Sequence, residues 1–467
     1  MIRKLNVSDL DLPKPPPLKK IIGPSFILLG LGLGSGELIL WPYLASNYGL
    51  GIIWGAVIGI TFQFFINMEI ERYTLATGES VFVGLSRMMG KFSPLWFIFT
   101  TFLPWIWPGI IASSASILAY ALGIKYQKII PILLLFIIGV ILSLGKYLYK
   151  TQEKFQKSLI FIGIPFIILL TVFLVKPVNY IDLFKGVVGI GKGYLFLPAG
   201  ISFATFLGAL AYAGAGGNLN LSQSYYVKEK GFGMGKYSGK IAGLFSKEKK
   251  SFDLEGALFQ NNFKNIKVYR LWWRRINLEH GIIFWLTGAI TILLLSLLAF
   301  STAYLKTGVE TGINFLFKEG LYISENTIPF IGTAFLLIAS LMLFGTQFSV
   351  FGATSRILSE NFVIFSPKTF KAEKLSYLFY IFLWLQIIAG CLIFILGFTE
   401  PLTLVIIGAV MNAVTMFVYT VMIYFLNLKT LPVLIRPSLK RRVIIISAIL
   451  FYGSFSLITI LKYFFNF

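Results

Sequence analysis

Histidine occurs once in the 467 residues, at His280, and cysteine once, at Cys391. A lone cysteine excludes an internal disulfide and any cysteine-built zinc or iron–sulfur centre. A lone histidine leaves no imidazole set for a transition metal. Acidic residues are scarce as well, 19 against 41 lysines and arginines. There is no Ser/His/Asp set and no pair of aspartates in facing apolar segments, so an enzyme is not expected and no cofactor is implied. The first twenty residues are basic and proline-rich (Lys14, Pro15, Pro16, Pro17, Lys19, Lys20). They lack the apolar core of a cleavable leader, and none is expected.

What the sequence has in abundance is apolar length. Hydrophobic residues make up 57%, aromatics 16% and charged residues only 13%. A soluble domain needs more polar surface than that to cover its core. Apolar runs of about 20 residues recur from residue 21 onward, which is helix length rather than the ten-residue alternation of a barrel strand. In hydrocarbon the backbone must satisfy itself, and a helix does so within one segment. The expected fold class is therefore an all-α integral membrane protein. Eleven transmembrane helices are read at 21–48, 50–76, 93–121, 128–149, 152–176, 198–227, 279–305, 326–352, 375–397, 400–427 and 441–465. The stretch Phe351 to Phe365 at the end of span 8 is mixed in character and can extend it.

Sorting the 41 lysines and arginines by loop places the great majority beside the N-terminus, on one side. The positive-inside rule then puts the N-terminus in the cytoplasm of a multi-pass cell-membrane protein, with the C-terminal tail outside. Topology and attraction to the lipid bilayer explain the net charge of +22. Nucleic-acid binding is not needed. The long basic loop 228–277 has a glycine- and lysine-rich first half (Gly231, Gly233, Gly235, Gly239, Lys247, Lys249, Lys250) that reads as mobile. Its second half, 264–275, interleaves aromatics with cations. It is either a regulatory interfacial helix or, the favoured reading, a snorkelling junction into span 7.

Two spans carry dense glycine. Span 1 reads Gly30, Gly32, Gly34, Ser35, Gly36, Glu37; span 6 reads Gly208, Gly214, Ala215, Gly216, Gly217, Asn218. Each glycine costs about 1 kcal/mol relative to alanine inside a helix, so both clusters predict local unwinding. Close helix packing by small residues is the rival explanation. Spans 1 and 6 open two successive five-span blocks, and breaks at matching positions point to an inverted-repeat transporter with a site at the bilayer midplane. The domain layout follows: a basic tail 1–20, repeats 21–176 and 198–427 (the second including the loop 228–277), and an extra helix 441–467. Glu37 adds a carboxylate at membrane depth, which serves either a substrate or proton or the scaffold of the break. Asn412 in span 10 is either interhelical glue or a site ligand. Glu69 and Glu71 are expected to pair with Arg72 or be solvated. Pro104 and Pro108 should kink span 3. Ser113, Ser114 and Ser116 follow as packing residues or a polar path.

Three stretches, 23–30 (Gly-Pro-Ser-Phe-Ile-Leu-Leu-Gly), 34–37 (Gly-Ser-Gly-Glu) and 45–49 (Ala-Ser-Asn-Tyr-Gly), together resemble the first span of the natural resistance-associated macrophage protein (Nramp) family. Residues 72–78 resemble its signature at the end of span 2, and 218–221 the stretch after its sixth-span metal motif. The resemblance covers spans 1 to 6 and implies a LeuT-type 5+5 fold, alternating access and cation import. The family's Asp-Pro-Gly-Asn motif is replaced here by Gly34, Ser35, Gly36 and Glu37, and its Met-Pro-His by Ala215, Gly216 and Gly217. The thioether that selects transition metals is missing, as in the magnesium-transporting branch. The implied substrate is a small inorganic cation, a hard divalent such as Mg²⁺ before a transition metal, with Glu37 and Asn218 as metal ligands. An organic-solute carrier, such as one for amino acids, and a scaffold or sensor working through 228–277 are the alternatives.

Overall fold

The computed structural model describes residues 5–144, 148–238, 254–304, 312–367 and 372–465. Gly239, Lys247, Lys249 and Lys250 of the basic loop lie outside the described residues. Helix dominates, and two isolated β-bridges, Val7 with Leu258 and Ile190 with Leu195, are the strand-like pairings among the described residues.

Each expected span has a counterpart. Among the described residues, nine helices are long and apolar enough to cross a bilayer: α1 (Pro24–Tyr48), α2 (Leu50–Thr77), α3 (Phe92–Ala121), α5 (Tyr149–Leu174), α7 (Phe263–Ala303), α8 (Pro329–Phe365), α9 (Leu375–Ile395), α10 (Pro401–Thr430) and α11 (Leu439–Lys462). The fourth span, α4 (Ile129–Leu144), is a shorter apolar helix. The sixth is divided into α6a (Phe203–Ala211) and α6b (Gln223–Lys230), with a 3₁₀ segment Gly217–Ser222 between them. Span 8 does run on, to Phe365. In α3 the helix stops at Trp105 and resumes at Gly109, where Pro104 and Pro108 remove backbone donors.

Burial orders the helices from centre to rim. In the most apolar stretch of α1, 94% of residues are buried inside the protein, against 28% in α11, so α1 is the hub and α11 a peripheral helix. The rim exposes large apolar side chains such as Phe161 and Phe173 on α5, Ile388 and Leu392 on α9 and Leu450 on α11. In a bilayer such side chains meet acyl chains rather than water. Helices α3 and α8 are joined by reciprocal serine bonds: Ser114 Oγ donates to Ser340 O at 2.8 Å, and Ser340 Oγ to Ser114 O at 2.9 Å. Ser113 Oγ donates back to Gly109 O of its own helix at 2.9 Å. These serines therefore act in packing.

Helix α7 is 41 residues long, about 60 Å at 1.5 Å per residue, twice a hydrocarbon core. Its first part, Phe263–His280, is the second half of the basic loop and continues directly into the span. Arg72 and Arg441 lie over the ring of Trp273, 3.9 and 4.8 Å from its centre. The junction reading fits this. The N-terminal tail docks on the same stretch: Leu12 N donates to Asn265 Oδ1, Trp272 Nε1 to Pro13 O, and Arg275 to Pro15 O and Pro16 O. Outside the bilayer stretch, a hydrogen bond from Lys264 holds the Asp11 carboxyl below its ordinary range. The expectation of mobility fails for 231–238: Gly233–Tyr237 forms a 3₁₀ turn whose Met234 is buried against Gly78. The positive φ of Gly233 sets that turn.

Candidate functional site

All nine nominated residues, Gly34, Ser35, Gly36, Glu37, Ala215, Gly216, Gly217, Asn218 and Asn412, are buried. The two glycine clusters meet. A Cβ on Gly32 would sit 2.6 Å from Gly214 O, and one on Gly36 would overlap the Tyr212 carbonyl. The crossing of α1 and α6 is thus closed backbone to backbone.

The two helices depart from α geometry differently. Helix α6 breaks outright. Gly216 and Gly217 take φ of 76° and 51°, a left-handed pair that only glycine adopts cheaply. Gln63 of α2 serves the loosened backbone: its Nε2 donates to Ala211 O at 2.8 Å, and its Oε1 accepts from Gly216 N at 3.4 Å. Helix α1, by contrast, does not unwind. It continues as a π-helix over Leu33–Leu40, with Trp41 N–H reaching back five residues to Gly36 O. The cause lies in α8. Thr346 Oγ1 donates to Gly30 O at 2.9 Å and accepts from Gly34 N at 2.9 Å. A hydroxyl has entered the place of one α-helical bond, and the next turn widens to accommodate it. The expectation of an unwound gap in span 1 is corrected to a π-helical stretch. None of its glycines has a positive φ, and Gly32, Gly34 and Gly36 serve close approach instead.

The π-stretch carries Ser35 and Glu37. Glu37 faces α7, with Oε1 3.4 Å from where a Cβ of Gly288 would stand, beside Leu29 and Ile60. Neither of its carboxylate oxygens has a hydrogen-bond partner, and Ser35 Oγ has none either. Asn412 Nδ2 donates to the Tyr212 hydroxyl at 3.0 Å, and its side chain abuts Gly217, while its Oδ1 is unpartnered. Asn218 Nδ2 donates to Thr100 Oγ1 at 2.9 Å and Thr101 Oγ1 at 2.8 Å on α3, and its Oδ1 is unpartnered too. Glu37 therefore contacts α7 and Asn218 contacts α3; they approach the α1–α6 crossing from different sides. Among the described residues, no group of three or more His, Cys, Asp or Glu side chains is placed to hold a metal ion.

Several polar residues were not anticipated. Gln63 and Thr346 have no signal in the sequence beyond being polar within apolar runs. Glu69 pairs with Arg72 at 2.7 Å, as expected. Glu71 does not. It turns inward, accepts from Gln223 Nε2 at 2.7 Å and lies 3.6 Å from His280 Nδ1. The two-residue step from Glu69 to Glu71 turns the side chain by about 200° around α2, and tertiary packing decides what each then meets.

A central first helix, a sixth helix broken opposite it and the surrounding bundle define the LeuT-type transporter fold. No family model and no curated protein matches the sequence. Among solved structures, a crystallised variant of the manganese transporter of Eremococcus coleocola is similar, with TM-score 0.68 and 13% identity over 99% of this chain and 92% of that one. Mhp1, a nucleobase-cation-symport-1 family transporter in a closed conformation with bromovinylhydantoin bound, gives TM-score 0.56 at 11% identity, covering 97% of this chain and 94% of its own. MhsT in complex with L-phenylalanine gives TM-score 0.50 at 13% identity, with 99% and 100% covered. At such identities the likeness establishes the fold.

Proposed function

We propose that this chain is an Nramp-related secondary transporter that carries a small, hard inorganic cation across the cell membrane by alternating access. The N-terminus and the basic loops lie in the cytoplasm, and 21–176 and 198–427 act as the two repeats. The observation that carries the reading is that buried oxygens of Ser35, Glu37, Asn218 and Asn412 lack partners, on the different sides from which these residues approach the α1–α6 crossing. Buried polar atoms are normally satisfied, and an unpaired carboxylate in an apolar surround is costly. A cation passing the crossing offsets that cost. The donors are oxygens throughout. Ala215 stands where a thioether would favour a transition metal, so Mg²⁺ suits the set better than Mn²⁺. Mg²⁺ gives up its water reluctantly, which is compatible with a single carboxylate.

Uptake of Mg²⁺ and Mn²⁺ into proteoliposomes, wild type beside Glu37→Gln, tests the proposal. Mg²⁺ uptake that collapses in the variant, with its melting temperature unchanged or raised, is the expected result. Equal uptake in both proteins would remove Glu37 from the site. Stabilisation by amino acids, with no response to divalent ions, would move the reading to an organic-solute carrier.

A further inference from the structure

A second polar cluster is buried where the N-terminal ends of α1 and α6b meet α7 at Glu279 and His280, just before a π-helical stretch Gly281–Leu286, against α2. It comprises Ser25 of α1, Glu71 of α2, Gln223 of α6b, and Glu279 and His280 of α7, all buried. Ser25 Oγ lies 2.5 Å from Glu279 Oε2 and 2.7 Å from His280 Nδ1. Gly23 N donates to Glu279 Oε1 at 3.3 Å, and Glu71 Oε1 lies 3.6 Å from His280 Nδ1. Phe64 and Phe284 stack on the imidazole, at ring separations of 5.6 and 4.7 Å. His280 Nε2 and Gln223 Oε1 have no partner.

Counting hydrogens shows what the cluster needs. Ser25 has one hydroxyl hydrogen and two neighbours. Given to Glu279, it leaves the second contact to be made by a hydrogen on His280 Nδ1. Nε2 of the neutral ring is then a bare acceptor in an apolar sandwich. Two carboxylates and a neutral imidazole bring two negative charges into a buried site. The cations nearby are already engaged: Lys230 pairs with Glu153 at 2.9 Å, and Lys157 with the same oxygen at 2.7 Å. From α5 and α6b, Glu153, Lys230 and the Tyr149 hydroxyl crowd Gly23 at the edge of the cluster, and Glu229 and Tyr226 of α6b act on Tyr149 in turn. Uncompensated charge at such a site is expensive, whereas a proton neutralises it without requiring space.

We propose that this cluster is a proton-binding site, with Glu71, His280 and Glu279 sharing the proton through Ser25. Glu71 takes it from the α2 side, and the His280–Ser25–Glu279 chain spreads it to the first turn of α1. A loaded cluster holds α2 and α7 together beside Ser25 and Gln223; an empty one carries Glu71 and Glu279 as two carboxylates that repel, which loosens the contact of α2 with α7. Proton binding at the cluster does not depend on the transport reading above.

Infrared difference spectroscopy of the full chain in nanodiscs, between acidic and alkaline buffer, tests the site. The expected wild-type signal is a buried protonated-carboxyl band, removed by Glu71→Gln or Glu279→Gln and shifted in its pH midpoint by His280→Gln. Glu37→Gln serves as the comparison and keeps that part of the signal. A wild-type difference spectrum unaltered by both glutamine variants, in protein that still elutes as a folded species, overturns the proposal. So does a cluster whose occupancy follows sodium rather than pH.

Discussion

Helices α1 and α6 carry nearly the same glycine density, and they answer it in opposite ways. Helix α6 gives up its helical path at Gly216 and Gly217 and leans on the amide of Gln63. Helix α1 keeps its path, admits the hydroxyl of Thr346 between Gly30 and Gly34 and becomes a π-helix. The glycines allow a departure from α geometry without dictating its kind. A single polar side chain on a neighbour decides it, by supplying the bonds that the backbone gives up.

Five substitutions or conditions sharpen that contrast, taken broadly from the strongest effect downward. Gly36→Ala drives a Cβ into the Tyr212 carbonyl, where backbone on both sides prevents escape. A loss of about 3 kcal/mol or failure to fold is expected, measured as melting temperature in detergent. Gly30→Ala should be milder, because its Cβ meets the flexible end of Gln156. Thr346→Val removes both hydroxyl bonds of α1 and should cost about 1–3 kcal/mol. It should also return α1 to regular α geometry, turning the Glu37 side chain away from Gly288 by a large fraction of a turn. A structure of the variant that retains the π-stretch would show that Thr346 follows the widening rather than causing it. Gln63→Leu removes the amide that serves α6 and should destabilise by about 1–2 kcal/mol, leaving α1 unchanged. The smallest effect concerns the tail. The Asp11 carboxyl is depressed by Lys264, so this contact is complete above its ordinary titration range and is lost as pH falls through the lowered one. Limited proteolysis of the tail should accelerate slightly below that point, and Asp11→Asn should show the faster rate at neutral pH.

The helical bundle was legible in the sequence because apolar run length is a property of single segments. Eleven spans, the kink at Pro104 and Pro108, the run-on of α8 and the junction into α7 all rest on such local signals. The break in α6 was legible as well, since a left-handed Gly–Gly pair needs glycine. The π-stretch was not. Its cause sits on α8, more than 300 residues away in the chain, and no local pattern separates glycine used for unwinding from glycine used for close approach. Glu71 and Glu279 illustrate the same limit. Each lies at the margin of an apolar run, where an acid ordinarily faces water, and only the packing of four helices encloses them together.

The docked N-terminal tail has a mechanical consequence. It lies along the protruding shaft of α7 and then, through Gly23, becomes the first turn of α1 without slack. Pulling, clipping or fusing a bulky tag at that end therefore acts as a handle on the innermost helix. A fluorescent label there should report on the crossing of α1 and α6 from outside the bilayer.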